Sequence, residues 1–249
     1  MKLNRHKKIT SLVEDAGYLS VQELAKLLSV SEMTVRRDLK ELDEQKILVK
    51  EHGGAKKIQD VLSTDQKMPK NIKEKMYLGG IINSVISPGD VVFIGAGTTL
   101  YYALPSITQD YKCILTNSLL SFNYLVENGY SNIVLTGGEY FSLTGEFVGT
   151  HAEEIFDLYN VDVAFISTNG IHDRNITTSY PSLGRIQNQI INSSKETYVV
   201  ADNSKFNKSD IFTFATLDEV TGIISDNNIS DDVLNKYSEF GKIITTKEK

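Results

Sequence analysis

The stretch SEMTVRRDLKEL, residues 31 to 42, places two arginines side by side. Wound as a helix, it sets Val35, Leu39 and Leu42 within about 60° of one another, with Met33, Arg37 and Lys40 opposite and Thr34 and Arg36 on the flanks. A cationic outer face of this kind suits a polyanion, phosphate oxygens first and base edges second. The competing use is local pairing. Glu32 with Arg36 and Arg37 with Glu41 are each four apart, but such pairs contribute only about 0.2–0.5 kcal/mol. Arg36 and Lys40 are also four apart, and an anion between them relieves that repulsion. The spacing favours groove binding, with Ser31 capping the helix that carries Met33, Thr34, Arg36, Arg37 and Lys40.

A second group of residues suits a smaller anion. DVVFIGAGTTL runs from a β-rich stretch into Gly95, Gly97, Thr98 and Thr99, where backbone amides, hydroxyls and a helix start can face a phosphate. ILTNSLL ends its strand with Asn117 and Ser118, and VLTGGEY ends with Gly137 and Gly138. None of these is the dinucleotide G-x-G-x-x-G or the nucleotide G-x-x-x-x-G-K-[ST] loop, and a tight turn explains any one of them alone. Three together predict one phosphate-type pocket. Acid–base candidates near strand ends are few (Glu139, Glu146, Asp162, Asp202, Lys205), and no histidine lies in a phosphate loop, which argues against an isomerase chemistry. With one cysteine and four well-separated histidines, no disulfide, metal or cofactor is expected.

The elements that must position these residues follow from periodicity. Ile9, Leu12, Val13 and Ala16 mark a first helix ended by Gly17. Ser20 and Glu23 form a capping-box pattern ahead of Val21, Leu24, Leu27 and Leu28, and Ser29 to Ser31 is a turn before the arginine helix. That is the form of a helix-turn-helix. ILVKEHGGAKK then alternates and bends at Gly53 and Gly54, a β-wing whose Lys50 and His52 suit the DNA backbone. Residues 58 to 72 read as a linker. Beyond it, helical stretches alternate with strands at 90–94, 113–116, 132–136, 161–167, 197–202 and 222–225, predicting a largely parallel sheet with ligands at strand carboxyl ends. The domains expected are a DNA-binding module over 1–57 and an α/β domain over 73–249.

Charge divides in the same place. Residues 1 to 57 hold 12 basic and 9 acidic side chains, the rest 14 and 23, so a basic module precedes an acidic body. No apolar run is long enough to cross a membrane and the start lacks a secretory signal, so the expected location is cytoplasmic. Recognition of paired half-sites predicts a homodimer or homotetramer.

LSVQELAKLLSVSEMTVRRDLKELDEQKILVKEHGGA resembles the winged helix-turn-helix of DeoR-family transcriptional regulators, with Lys46 standing where the family usually has glycine. GAGTT, LTNS, LTGGE, FVGTHA, VDVAFISTNGI and ADNSKF resemble that family's sensor domain, over about 75–245. The resemblance implies a small winged helix-turn-helix plus a larger α/β domain, similar in fold to ribose-5-phosphate isomerase, that binds a phosphorylated sugar. It implies a repressor of a sugar-metabolism operon acting on double-stranded operator DNA. Carried over, Gly95 to Thr99 hold phosphate, Asn117, Ser118, Gly137 and Gly138 surround the sugar, and Asp202 and Lys205 lie near the remaining wall. Many family members carry glutamate and lysine where this chain has Leu183 and Gln187; the lost lysine implies a different sugar, a weaker effector or help from Arg185. The glutamine is similar to the lactose phosphotransferase repressor branch, which implies tagatose 6-phosphate. The competing class is a sugar-phosphate isomerase-like enzyme with an accessory DNA-binding domain.

Overall fold

The computed structural model describes residues 2–16, 18–45, 47–51, 53–56 and 62–246. Contacts divide the chain into two compact units, Met1–Leu62 and Ser63–Lys249.

The first unit contains α1 (Lys2–Ala16), β1 (Tyr18–Ser20), α2 (Val21–Leu28), α3 (Glu32–Glu44), β2 (Val49–Glu51) and β3 (Gly54–Lys56). The Ser20–Glu23 capping box forms as the sequence predicts, with Ser20 N–H donating to Glu23 Oε2 at 2.8 Å and Glu23 N–H to Ser20 Oγ at 3.2 Å. Ser29 turns the chain in a left-handed conformation, φ 53°, and Ser31 caps α3 by accepting from Thr34 N–H. Ile9, Val13, Val21, Leu24, Val35, Leu39, Leu42 and Leu48 then close one apolar core. Fully burying each such side chain contributes about 1.5–3 kcal/mol. The wing pairs β2 with β3 antiparallel, and β3 also pairs with β1. A Cβ at Gly54 would stand 2.5 Å from the Leu19 carbonyl oxygen, so the β1–β3 approach requires glycine.

Asp38, between the arginines and Leu39, is buried rather than outward. Arg5 Nε donates to its Oδ2 at 2.5 Å and Arg5 Nη2 to its Oδ1 at 3.1 Å, while His6 Nε2 lies 3.1 Å from Oδ1. Burial pushes the Asp38 carboxyl up, but hydrogen bonds and charge from Arg5 and His6 outweigh it and hold the group below the ordinary carboxylate range. This pairing fixes α1 against the inner side of α3, so the rotation of the arginine helix is set from within.

The second unit opens with α4 (Thr64–Lys67) and α5 (Ile72–Val85). The expected linker is therefore shorter at its far end. Ser63 and Gln66 form a capping box (3.0 and 3.3 Å) that a window too short for periodicity conceals, and the segment from Ser63 belongs by its contacts to the second unit. There follow β4 (Asp90–Ile94), α6 (Thr98–Ala103), β5 (Tyr111–Thr116), α7 (Leu119–Glu127), β6 (Ile133–Leu135), β7 (Glu139–Phe141), β8 (Glu146–Val148), α8 (Thr150–Glu153) and β9 (Val161–Ser167). The rest is β10 (Gly170–His172), β11 (Asn175–Thr178), α9 (Pro181–Ser193), β12 (Ser194–Val200), β13 (Phe212–Thr216), β14 (Gly222–Ile224), α10 (Asp231–Ser238) and β15 (Ile243–Ile244).

The main sheet has seven strands in the order β15-β14-β12-β9-β4-β5-β6, and every neighbouring pair is parallel. Each of the six runs expected from sequence overlaps one of its strands, with ends differing by up to three residues, and β15 is the strand of this sheet not foreseen. The chain winds outward from β4 through β5 to β6, then returns to the other side of β4 with β9. Strand order thus reverses between β4 and β9, and the crevice beyond their carboxyl ends is where open sheets of this kind bind ligands. Ile94, Leu100, Phe165, Val200 and Ile224 belong to the core that fixes these strand ends. Among the described residues no helix is long and apolar enough to cross a membrane.

Asp38→Ala removes the shared partner of Arg5 and His6 and is expected to lower the stability of the first unit by about 1–3 kcal/mol, read in urea unfolding of the full chain. Because the Asp38 carboxyl is held low in the folded state, its contribution is present above the unfolded-state value of about 3.9 and is lost as pH falls through the folded value. The gap between wild type and variant must therefore narrow in acid, and a gap independent of pH would contradict the pairing.

Candidate functional site

On α3 the cations stand outside. Arg37 is 82% exposed, and Met33, Arg36 and Lys40 are exposed as well. The local ion pairs also form, Arg36–Glu32 at 3.3 Å, Arg37–Glu41 at 3.8 Å and Lys40–Glu44 at 3.7 Å. Solvent-exposed pairs of this length are worth about 0–1 kcal/mol and do not bind the arginines to local partners. Glu41 is, moreover, already taken by Lys2 at 2.6 Å, whose hydrogen bond holds its carboxyl below the usual range. Thr34 is half-buried beside its cap, Ser31. In the wing, Lys50 donates its backbone N–H to Asp43 Oδ1 at 3.0 Å and leaves its side chain exposed. His52 lies outside the described residues.

At the β4–β9 switch point a cavity is lined by Thr64, Lys67, Ala96, Gly97, Thr98, Thr144, Glu146, Ser167, Thr168, Asn169, Thr178, Leu183 and Gln187. A smaller adjoining cavity adds Gly95 and Asn117. Gly97 has φ 137°, and a Cβ there would stand 2.5 Å from Ser167 Oγ, so the loop meets the end of β9 only as glycine. The Gly95 amide is committed to Phe165 O (2.9 Å) and the Ala96 amide to Asn117 Oδ1 (2.9 Å). The amides left for an anion are those at the start of α6, which has no side-chain cap.

Two residues overlooked in the sequence dominate the electrostatics. Lys75 is buried on α5 and its Nζ donates to Thr98 Oγ1 (2.8 Å) and to the Lys67 carbonyl (2.9 Å), both neutral. Lys67 Nζ donates to Asn169 Oδ1 at 2.9 Å. Burial, with repulsion from Lys205 next, pushes Lys67 down to about 8; burial likewise brings Lys75 to about 8 against the pull of Asp202. Lys205 is itself lowered by burial. Glu146, buried at the pocket floor, is pushed up by burial against hydrogen bonding from Asn117 and the charge of Lys67. Gln187 Oε1 is buried without a hydrogen-bond partner.

The remaining expected residues have other tasks. Asn117 is a latch: its Nδ2 donates to Glu146 Oε2 (3.0 Å) and Phe147 O (3.3 Å) while its Oδ1 holds Ala96. Ser118 caps α7, accepting from Ser121 N–H. Thr99 is buried in α6 and does not line the cavity. Gly137 and Gly138 do not line it either. They follow β6 at the sheet edge, and Gly138 packs against Val148 and Ala152. Asp202 caps the turn at Asn203–Lys205 and accepts from Asn71 Nδ2 at 3.1 Å. Lys205 reaches the pocket by its field rather than as a wall. Arg185, expected to help, is exposed near Glu153 (3.9 Å) and lines a separate cleft with Phe212 and Phe214, because it lies two residues along α9 from both Leu183 and Gln187 and so on the opposite side of the helix. Leu183 and Gln187, at the two positions where this chain departs from the family pattern, do line it.

A winged helix-turn-helix with a cationic outer helix, followed by a parallel α/β unit with an anion-suited pocket, defines a regulator that reads DNA and senses a ligand on one chain. Residues 5–61 match the DeoR-like helix-turn-helix domain and residues 70–227 the DeoR C-terminal sensor domain. The chain belongs to the DeoR family. It is 34% identical over 233 residues to the lactose phosphotransferase system repressor of Staphylococcus epidermidis, covering 91% of this chain and 93% of that one. With the lactose phosphotransferase system repressor of Streptococcus mutans it shares 31% over 249 residues, covering 98% and 99%. Ribose 5-phosphate isomerase A from Methanocaldococcus jannaschii aligns over 55% of each chain at 14% identity and a TM-score of 0.41, a likeness too slight to bear on function.

Asn117→Ala strands the Ala96 amide and Glu146 together. It is expected to lower the urea-unfolding stability of the second unit by about 1–3 kcal/mol; a neutral variant would mean that the latch is dispensable.

Proposed function

We propose that the chain represses a sugar-metabolism operon by binding operator DNA through Met1–Leu62, and that a phosphorylated sugar bound in Ser63–Lys249 controls that binding. The observation that carries the reading is the pairing of an outward Arg37 and Lys40 on one unit with under-compensated lysines beside an uncapped Gly97–Thr98 loop on the other. Membership of the DeoR family supports it, as do relatives named lactose phosphotransferase system repressor.

On DNA, α3 enters the major groove, where Met33, Thr34, Arg36, Arg37 and Lys40 face base edges and phosphates, with Ser31 at the helix start and Lys50 on the wing against the backbone. Two copies bind paired half-sites, which makes the working form a homodimer or homotetramer on DNA in the cytoplasm. In the pocket the phosphoryl group sits at Gly97 and Thr98 with Lys75 behind it, and Lys205 adds its field. Gln187 Oε1, lacking a donor inside the protein, suits a sugar hydroxyl. A hexose 6-phosphate such as tagatose 6-phosphate has both groups.

Arg37→Ala should weaken operator binding by about 1–3 kcal/mol, whereas Lys50→Ala should weaken binding to all DNA and reduce the salt slope by about 1, both measured by fluorescence anisotropy. Full operator affinity in Arg37→Ala would reject the helix orientation. For the pocket, Lys67 and Lys75 are charged below about 8 and lose that charge above it. Calorimetric titration with hexose 6-phosphates should therefore show affinity falling as pH rises through that value, and Thr98→Val should weaken binding. Affinity flat with pH and unchanged in Thr98→Val would remove the phosphate assignment.

A further inference from the structure

The smaller sheet of the second unit ends in an open strand. Its order is β10-β11-β13, both pairs antiparallel, and β13 has β11 on one side and, among the described residues, no strand on the other. The run IFTFATL, Ile211 to Leu217, contains no charge, proline or glycine, and the nearest charges are Asp210 and Asp218 at its two ends. Ile211 is 63% exposed and Phe212 38%, and Thr213 beside them is exposed as well. From Phe214 onward α9 attends to the strand, with Asn188 Nδ2 donating to the Phe214 carbonyl at 3.0 Å. The open length is therefore Ile211 to Thr213. An uncharged, β-branched and aromatic run on a sheet edge is the pattern that recruits another strand, and edges meant for water carry lysine or proline instead.

Beside this edge lies a cleft of about 420 Å³, whose two charged lining residues are Arg185 and Glu153. Arg185 Nε stands 3.9 Å from Glu153 Oε1, beyond hydrogen-bond length, and that oxygen is buried without a hydrogen-bond partner. A donor arriving from outside the chain would satisfy it. The patch thus offers an open backbone edge, two apolar side chains, one cation and one anion. Such a surface complements itself. A two-fold axis beside β13 runs the two strands antiparallel and sets Arg185 of each copy against Glu153 of the other.

We infer that the β13 edge and its cleft form a self-association surface of the sensor unit, occupied by the same surface of a second copy. The small sheet then continues from one copy into the next, and Ile211 and Phe212 are covered. This goes beyond the reading that two copies act together on DNA, and takes from it only that the chain self-associates.

The test is sedimentation of the full chain without DNA, as wild type, Phe212→Lys, Arg185→Glu and Glu153→Arg, with urea unfolding of each to show that it folds. Hydrogen exchange of residues 211 to 213 in wild type is followed as protein concentration rises. Wild type should dimerise, exchange at 211 to 213 should slow as it does, and Phe212→Lys should weaken the dimer about thirtyfold or more. Arg185→Glu and Glu153→Arg should each weaken it alone, by setting like charges face to face, while an equal mixture of the two should form a mixed dimer in which both pairs are restored. A structural role of the pair within one chain cannot produce that rescue. If the mixture associates no better than its components, if folded Phe212→Lys dimerises as wild type does, or if exchange at 211 to 213 ignores concentration, the surface lies elsewhere and the inference falls. A wild type that stays monomeric at every concentration also overturns it, and the repressor reading then stands or falls separately on whether two copies bind one operator.

Discussion

Burying an ammonium group that hydrogen-bonds only to neutral acceptors is the constraint around which the second unit is arranged. Lys75 is almost fully buried, and both of its acceptors, Thr98 Oγ1 and the Lys67 carbonyl, are neutral. Desolvation on this scale costs several kcal/mol per ion unless opposite charge offsets it. The core strands could bury an apolar residue at the same place at no such cost. The loop geometry places the arrangement at the candidate site: the same lysine fixes Thr98 at the start of α6, which has no side-chain cap and where Gly97 closely approaches Ser167.

The first unit handles a buried charge in the opposite way. Asp38 finds Arg5 and His6 inside its own fold, so its charge is answered before any ligand arrives. The result is a rigid platform whose outward cations are free for an external polyanion. In the sensor the charge is left only partly answered: burial lowers Lys67, Lys75 and Lys205, and the charge of Lys205 lowers Lys67 and Lys75 further. A satisfied network suits a surface that must present fixed geometry, and an under-satisfied one suits a site whose state must change on binding.

Much of this was legible in the sequence because it depends on local rules. Capping at Ser20, the apolar face of Val35, Leu39 and Leu42, the bend at Gly53 and Gly54, and the strand runs all follow from spacing alone. Gly97 and Thr98 were legible for the same reason. What failed depended on strand order. Three small-residue loops look equivalent along the chain, but β6 is an edge strand, so Gly137 and Gly138 lie off the switch point that Gly97 occupies. Asn117 was recognised as polar and near, yet its amide is consumed in joining loops. Lys67 hid in a segment whose polarity and proline read as a tether, and Lys75 in the ordinary-looking run KEK. No periodicity distinguishes a lysine aimed into a crevice from one in water.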